Sequence, residues 1–179
     1  RDPKPVVYFL SHDFPERMLP GAEKVAADWN RAFTRAAAAA RRMSPGAFAE
    51  DYGDMFVLCP NLVEEDDSEA CDPRPEAARY RAGDYVPFRA RRGDLRLSFI
   101  DWVHQPQAAG PLGYGPSYTD PETGEIVAGT AYVYGAAVDT YAEFGLDVVR
   151  YINGDITDEQ IWSGDYVREY VLESLDPQI

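Results

Sequence analysis

The chain has 179 residues, 45% of them hydrophobic and 13% aromatic, and its 31 acidic and 17 basic side chains give a net charge of −14. That length fits one domain or one compact piece of a larger one, and the apolar and aromatic content excludes a disordered acidic tail. The acidic balance excludes phosphate-backbone binding, so nucleic acid is not an expected partner, and no apolar run is long enough for a membrane span.

Arg1 stands where a chain would open on Met, which reads as a processed or excised polypeptide. Val6-Val7-Tyr8-Phe9-Leu10 is β-branched and aromatic and reads as a buried strand, ended by Ser11-His12-Asp13 and Pro15. Pro20-Gly21 opens a long helix. Ala22, Val25, Ala26, Trp29, Ala32, Phe33, Ala36, Ala37 and Ala40 recur at helical spacing, with Glu23, Lys24, Asp28, Arg31 and Arg35 opposite them. Ser44-Pro45-Gly46 is the expected stop, and Met55-Phe56-Val57-Leu58 reads as a second strand. Residues 59–93 form an irregular, acidic insert containing Pro60, Pro73, Pro75 and Pro87, read as a surface excursion between core segments 6–58 and 95–175.

Leu95 to Val103 is the best strand pattern in the chain, and the Gly/Pro-rich stretch 105–117 reads as a loop. Asp120-Pro121-Glu122-Thr123-Gly124 suits a hairpin turn, with Thr130 to Tyr134 as the returning strand. Two helices follow. The first, from about Val138 to Ile152, turns Val138, Tyr141, Ala142, Val148, Val149 and Ile152 inward and stops at Asn153-Gly154. The second starts with a capping box, Thr157 to Gln160, and a last segment from Asp165 carries Val167, Tyr170 and Val171. The order predicts one α+β unit over 1–179: a small twisted mixed sheet, a long N-terminal backing helix and two C-terminal helices.

The chemistry-bearing residues are few. A catalytic zinc needs about three protein ligands, but the chain holds only His12 and His104 and no H-E-x-x-H; the two read as a loop residue and a strand-end residue. There is no G-x-S-x-G, and the prolines of Gly110 to Pro116 remove the amides a phosphate cradle would need. Glu64 to Asp67, and Asp120 with Glu122 and Glu125, are candidate calcium ligands lacking EF-hand spacing; a solvated loop and an ordinary hairpin are the competing readings. Cys59 and Cys71 can close a small disulfide loop, the expected state, against two unrelated thiols or a metal pair. The disulfide implies an exported, extracellular or periplasmic location. No complete catalytic set is present.

Three stretches carry a resemblance: the Val6–Leu10 strand with Asp13-Phe14-Pro15-Glu16, the helix segment Ala27-Asp28-Trp29-Asn30-Arg31-Ala32-Phe33, and Leu97 to Val103 followed by Gly115-Pro116-Ser117 and Asp120 to Ile126. In this order they resemble the N-terminal part of a metzincin-type zinc metallopeptidase, of a group of large secreted bacterial enzymes. The resemblance implies a sheet with a backing helix, whose edge strand pairs with an extended peptide substrate. Trp102, His104, Tyr114 and Tyr118 are the candidates to line such a cleft, against ordinary surface or core packing. The family's H-E-x-x-H-x-x-G-x-x-H helix is missing, so no zinc ligand or general base carries over. Zinc would belong to a longer parent chain, and the partners would be a polypeptide substrate or a downstream catalytic half. The alternatives are a stand-alone peptide- or protein-binding module, or an acidic calcium-binding exported domain.

Overall fold

The computed structural model describes residues 2–106, 112–165 and 168. Its main sheet is built from β1 (Val6–Leu10), β2 (Phe56–Cys59), β5 (Ser98–Val103), β6 (Gly113–Tyr114), β7 (Ser117–Thr119) and β8 (Ile126–Tyr134). The two short strands between them, β3 (Tyr80–Arg81) and β4 (Asp84–Tyr85), form a separate antiparallel pair. The strand order is β2-β1-β5-β8-β6, with β7 also on β8. β2, β1, β5 and β8 are parallel to one another, and β6 and β7 run antiparallel to β8. The fold is mixed α and β, with a long N-terminal helix, a mixed sheet and C-terminal helices.

A parallel strand covered on both faces needs apolar residues at successive positions, and β1 supplies them. One face meets α1 (Leu19–Ala40): Phe56 stacks on Tyr8 at 5.5 Å and on Phe33 of the helix at 6.1 Å. The C-terminal end of α1 buries Ala38 against Phe48 and Met55. Phe48 belongs to α2 (Pro45–Tyr52), a helix where the sequence reading expected only a stop. Ser44 caps it by accepting the Ala47 amide at 3.2 Å, with Pro45 in the first turn, so the breaker of one helix starts the next.

The opposite face is covered by the insert. Phe9, Cys59, Leu97 and Phe99 form the main buried cluster with Val63, Cys71 and Ala90 of the 59–93 stretch, and Phe88 packs at its rim. The insert is irregular, as its prolines suggest, yet it is a layer of the core and not only a surface excursion. A Cys59–Cys71 disulfide joins the end of β2 to it, and reciprocal backbone hydrogen bonds join Val63 to Phe88 at 2.8 and 2.9 Å. Asp72 holds the rest: its carboxylate accepts hydrogen bonds from the Arg74 guanidinium at 2.9 and 2.8 Å and from the Tyr85 hydroxyl at 2.8 Å. These bonds, led by those from Arg74, outweigh the effect of burial and bring the Asp72 pKa down to about 2.

At the C-terminal side, α3 (Gly135–Asn153) ends at Gly154 in the left-handed conformation. The Thr157–Gln160 capping box starts α4 (Asp158–Ser163). The predicted inner face of α3 is not inner. Tyr141, Val148, Val149 and Ile152 are exposed, and Gly135 is the one described residue of the helix that is fully buried. The helix is seated on the sheet by its first turn, where Gly135 lies on Trp102 and Asp139 receives a two-bond contact from Arg17 at 3.1 and 3.0 Å. Amphipathic spacing states which side chains need cover, not what covers them. The expected segment with Val167, Tyr170 and Val171 lies outside the described residues.

Candidate functional site

β6 and β7 are one edge strand. Gly113 to Tyr118 keep a constant register on β8, from Gly113 opposite Val133 to Tyr118 opposite Ala128, before a bulge at Thr119. The carbonyls of Leu112 and Pro116 accept the amides of Tyr134 and Thr130 at 3.0 and 2.9 Å. Because inward-bonding positions alternate along an antiparallel strand, the even-numbered residues bond to β8. The amides and carbonyls of Gly113, Gly115 and Ser117 therefore face away from the sheet. Pro116 has no N–H to donate, so its bonded pair keeps a single bond, which divides the strand in two. Gly113 is required where it stands, since a Cβ there would lie 2.6 Å from the Tyr132 carbonyl oxygen.

The other edge of the sheet is occupied differently. At the start of β2, the Met55 and Phe56 amides donate to Asn30 Oδ1 of α1 at 2.7 and 3.2 Å. β2 is also short, at four residues. The 113–119 edge is the one bearing a row of small residues with outward backbone groups.

Beside this edge a groove of about 190 Å³ crosses the sheet, lined by Leu95, Phe99, Tyr118, Thr130 and Tyr132 and closed at one end by Arg92 and Asp101. Arg92 is the hinge of a charged cluster at the carboxyl ends of β1 and β5. It contacts Asp13 at 2.9 Å and makes a close hydrogen bond to the buried Asp101. His104 Nε2 lies 3.0 Å from the Asp13 carbonyl oxygen, and His12 Nδ1 is 3.7 Å from the Asp13 carboxylate. Burial raises the Asp13 carboxyl, but hydrogen bonding, with Ser11 foremost, and the charge of Arg92 outweigh it and hold the pKa below the ordinary value. The chain's two histidines thus meet at Asp13, which is 91 residues from His104 and adjacent to His12.

The sequence candidates separate accordingly. Tyr114, 61% exposed, and Tyr118 lie on the edge strand itself. His104 is exposed in the charged cluster, 3.0 Å from Asp13. Trp102 is only 3% exposed, enclosed by Phe14 and Gly135, and presents no open surface. Asp120 is spent on its own turn: its Oδ1 accepts the Glu122 and Thr123 amides at 2.8 and 3.4 Å, and those bonds, Glu122's first, lower its pKa. Asp67 likewise accepts the Glu64 amide at 2.7 Å. Among the described residues no three His, Cys, Asp or Glu side chains converge as a metal site, so neither calcium candidate is assembled. Asn30, Arg92 and Asp101 were not singled out from sequence. Their partners are 25, 79 and 9 residues away, and no local pattern marks them.

No family model, curated protein or solved structure matches the chain.

Proposed function

We propose that the chain forms the sheet and the substrate-binding edge of a secreted zinc-dependent metallopeptidase of the metzincin type, and is not catalytic by itself. The observation that carries this reading is the 113–119 edge. Its outward amides and carbonyls belong to Gly113, Gly115 and Ser117, so an extended peptide can add as a further strand, with small residues beside it on one face and Tyr114 and Tyr118 on the other. Such pairing reads backbone rather than side chains. The Cys59–Cys71 disulfide fits an exported protein.

The chain's own donors do not fit zinc. Both histidines are gathered at Asp13, where the Arg92 guanidinium disfavours a second cation, and no third ligand joins them among the described residues. No hydrolytic step is assigned to these side chains; ligands and general base would come from polypeptide beyond them. The test measures bound zinc and peptidase activity in this chain and in a longer parent chain carrying an H-E-x-x-H helix. Zinc and activity only in the longer chain support the reading, and one tightly held zinc in this chain alone overturns it.

The same edge also serves a stand-alone peptide-binding module. That alternative requires tight capture of an extended peptide by this chain with no downstream sequence. On either reading Gly115→Pro, which removes an outward donor and leaves the bonds to β8, lowers peptide affinity at least tenfold without unfolding the sheet. An unchanged affinity means that peptides do not bind at this edge.

A further inference from the structure

The chain exposes more surface than a compact monomer of its size. It presents 12999 Å² to solvent, whereas a monomer of its 20.0 kDa is expected to present about 8,700 Å². If the 19 residues outside the described set are each given the area of an extended chain, about 3,000 Å² in all, about 10,000 Å² is left for the described part, which as a compact monomer would present about 8,100 Å², an excess of about 1,900 Å². One partner in a stable complex buries roughly 800 Å². The uncovered apolar surface is concentrated on α3 and α4. Tyr141, Phe144, Val148 and Ile152 recur along one side of α3, and Ile161 and Trp162 of α4 add to it, Trp162 being 88% exposed.

Charge selects the occupant. From Gly135 to Asp165 there are seven acidic residues and one basic residue, Arg150; with Asp139 paired to Arg17 and Asp147 to Arg150, the face keeps a net negative charge. Two copies meeting through this face would bring acid against acid, which costs several kcal/mol in a desolvated interface. An anionic lipid surface is disfavoured for the same reason. We infer that the α3–α4 face docks a cationic polypeptide segment whose apolar anchors cover Phe144, Val148, Ile152 and Trp162 while its Lys or Arg side chains meet the acidic rim. This rests on the reading given above, in which the downstream half of the same peptidase domain supplies that segment.

The test uses this chain with Trp29→Phe, so that the emission shift reports Trp162, since Trp102 is already buried. The probes are a helical peptide with Leu at every third and fourth position and Lys elsewhere, and the same peptide with Glu for Lys. A saturable blue shift is expected with the Lys peptide, at least tenfold weaker with the Glu peptide, weakened by salt, and abolished by Phe144→Asp or Ile152→Asp. Both positions stand in solvent, so circular dichroism and melting temperature should be unchanged in these variants. Equal response to both peptides, no response to either, an equal shift on anionic vesicles, or a dimer in sedimentation that Phe144→Asp dissociates would each overturn the inference. Zinc content and activity of the longer chain do not depend on the charge preference of this face, so the two readings fail separately.

Discussion

Neutralising Asp72 tests whether the insert is held as a layer of the core. The carboxylate is 5% exposed, and its pKa near 2, against an ordinary 3.8, is set by Arg74 and Tyr85. Each pKa unit corresponds to about 1.4 kcal/mol, so the charged form contributes roughly 2 kcal/mol of stability. Because the folded pKa is depressed, that contribution is complete above about pH 4 and is lost as pH falls toward 2. Asp72→Asn keeps the shape but has no proton to gain. Urea denaturation of both proteins from neutral pH to about pH 2 should show a gap between them that narrows by roughly 2 kcal/mol across this window. Asp94, also near 2 beside Arg96, is present in both proteins and cancels in the difference. A gap that stays constant with pH would refute the role given to the Asp72 carboxylate.

Reduction of the disulfide, or Cys59→Ser with Cys71→Ser, should cost about 3 kcal/mol by releasing a loop of 12 residues, read as a lower denaturation midpoint; an unchanged midpoint contradicts it. Gly135→Ala places a Cβ 2.5 Å from the Trp102 ring and should destabilise by about 1–3 kcal/mol. Adding Trp102→Phe should recover part of that loss, and a Gly135→Ala protein as stable as wild type would show that the first turn of α3 is not seated as described. Arg92→Met leaves Asp101 without its cation, for a loss of about 1–2 kcal/mol because the arginine is half exposed, which calorimetry would register as a lower melting temperature; no change would mean that the cluster contributes nothing to stability.

What sequence made legible was local. β1 was visible because a short β-branched and aromatic run bounded by Ser11 and Pro15 suits a buried strand, α1 through its helical spacing, and α4 through the chemistry of Thr157 and Gln160. The Cys59–Cys71 pairing followed from having two cysteines at loop-closing distance. The edge strand was hidden because Gly113, Gly115 and Pro116 have no strand preference of their own; the register on β8 makes them a strand. The insert's part in the core was hidden for a related reason. Val63, Phe88 and Ala90 are scattered single positions without a period, and only the face of β1 and β5 gathers them. The Arg92 cluster joins residues from three parts of the chain, so spacing could not reveal it.

The register of the sheet also bears on how it assembles. Phe99 pairs with Thr130 across 31 residues, while Tyr8 pairs with Ser98 across 90. On loop-closure entropy alone the second contact costs about 1 kcal/mol more. The bridge between Cys59 and Cys71 shortens that longer path by too little to matter, under about 0.2 kcal/mol. β1–α1–β2 and β5–β8 with its edge strand can therefore form as separate local units, leaving the β1–β5 seam as the late long-range event. Weakening the early α1–α2 contact is expected to slow refolding, whereas packing lost at the late seam, between Phe9 and Phe99, should mainly speed unfolding. The halves of the sheet flanking the seam would then be the pieces present in the denatured ensemble before the 113–119 edge and the helix layer are joined.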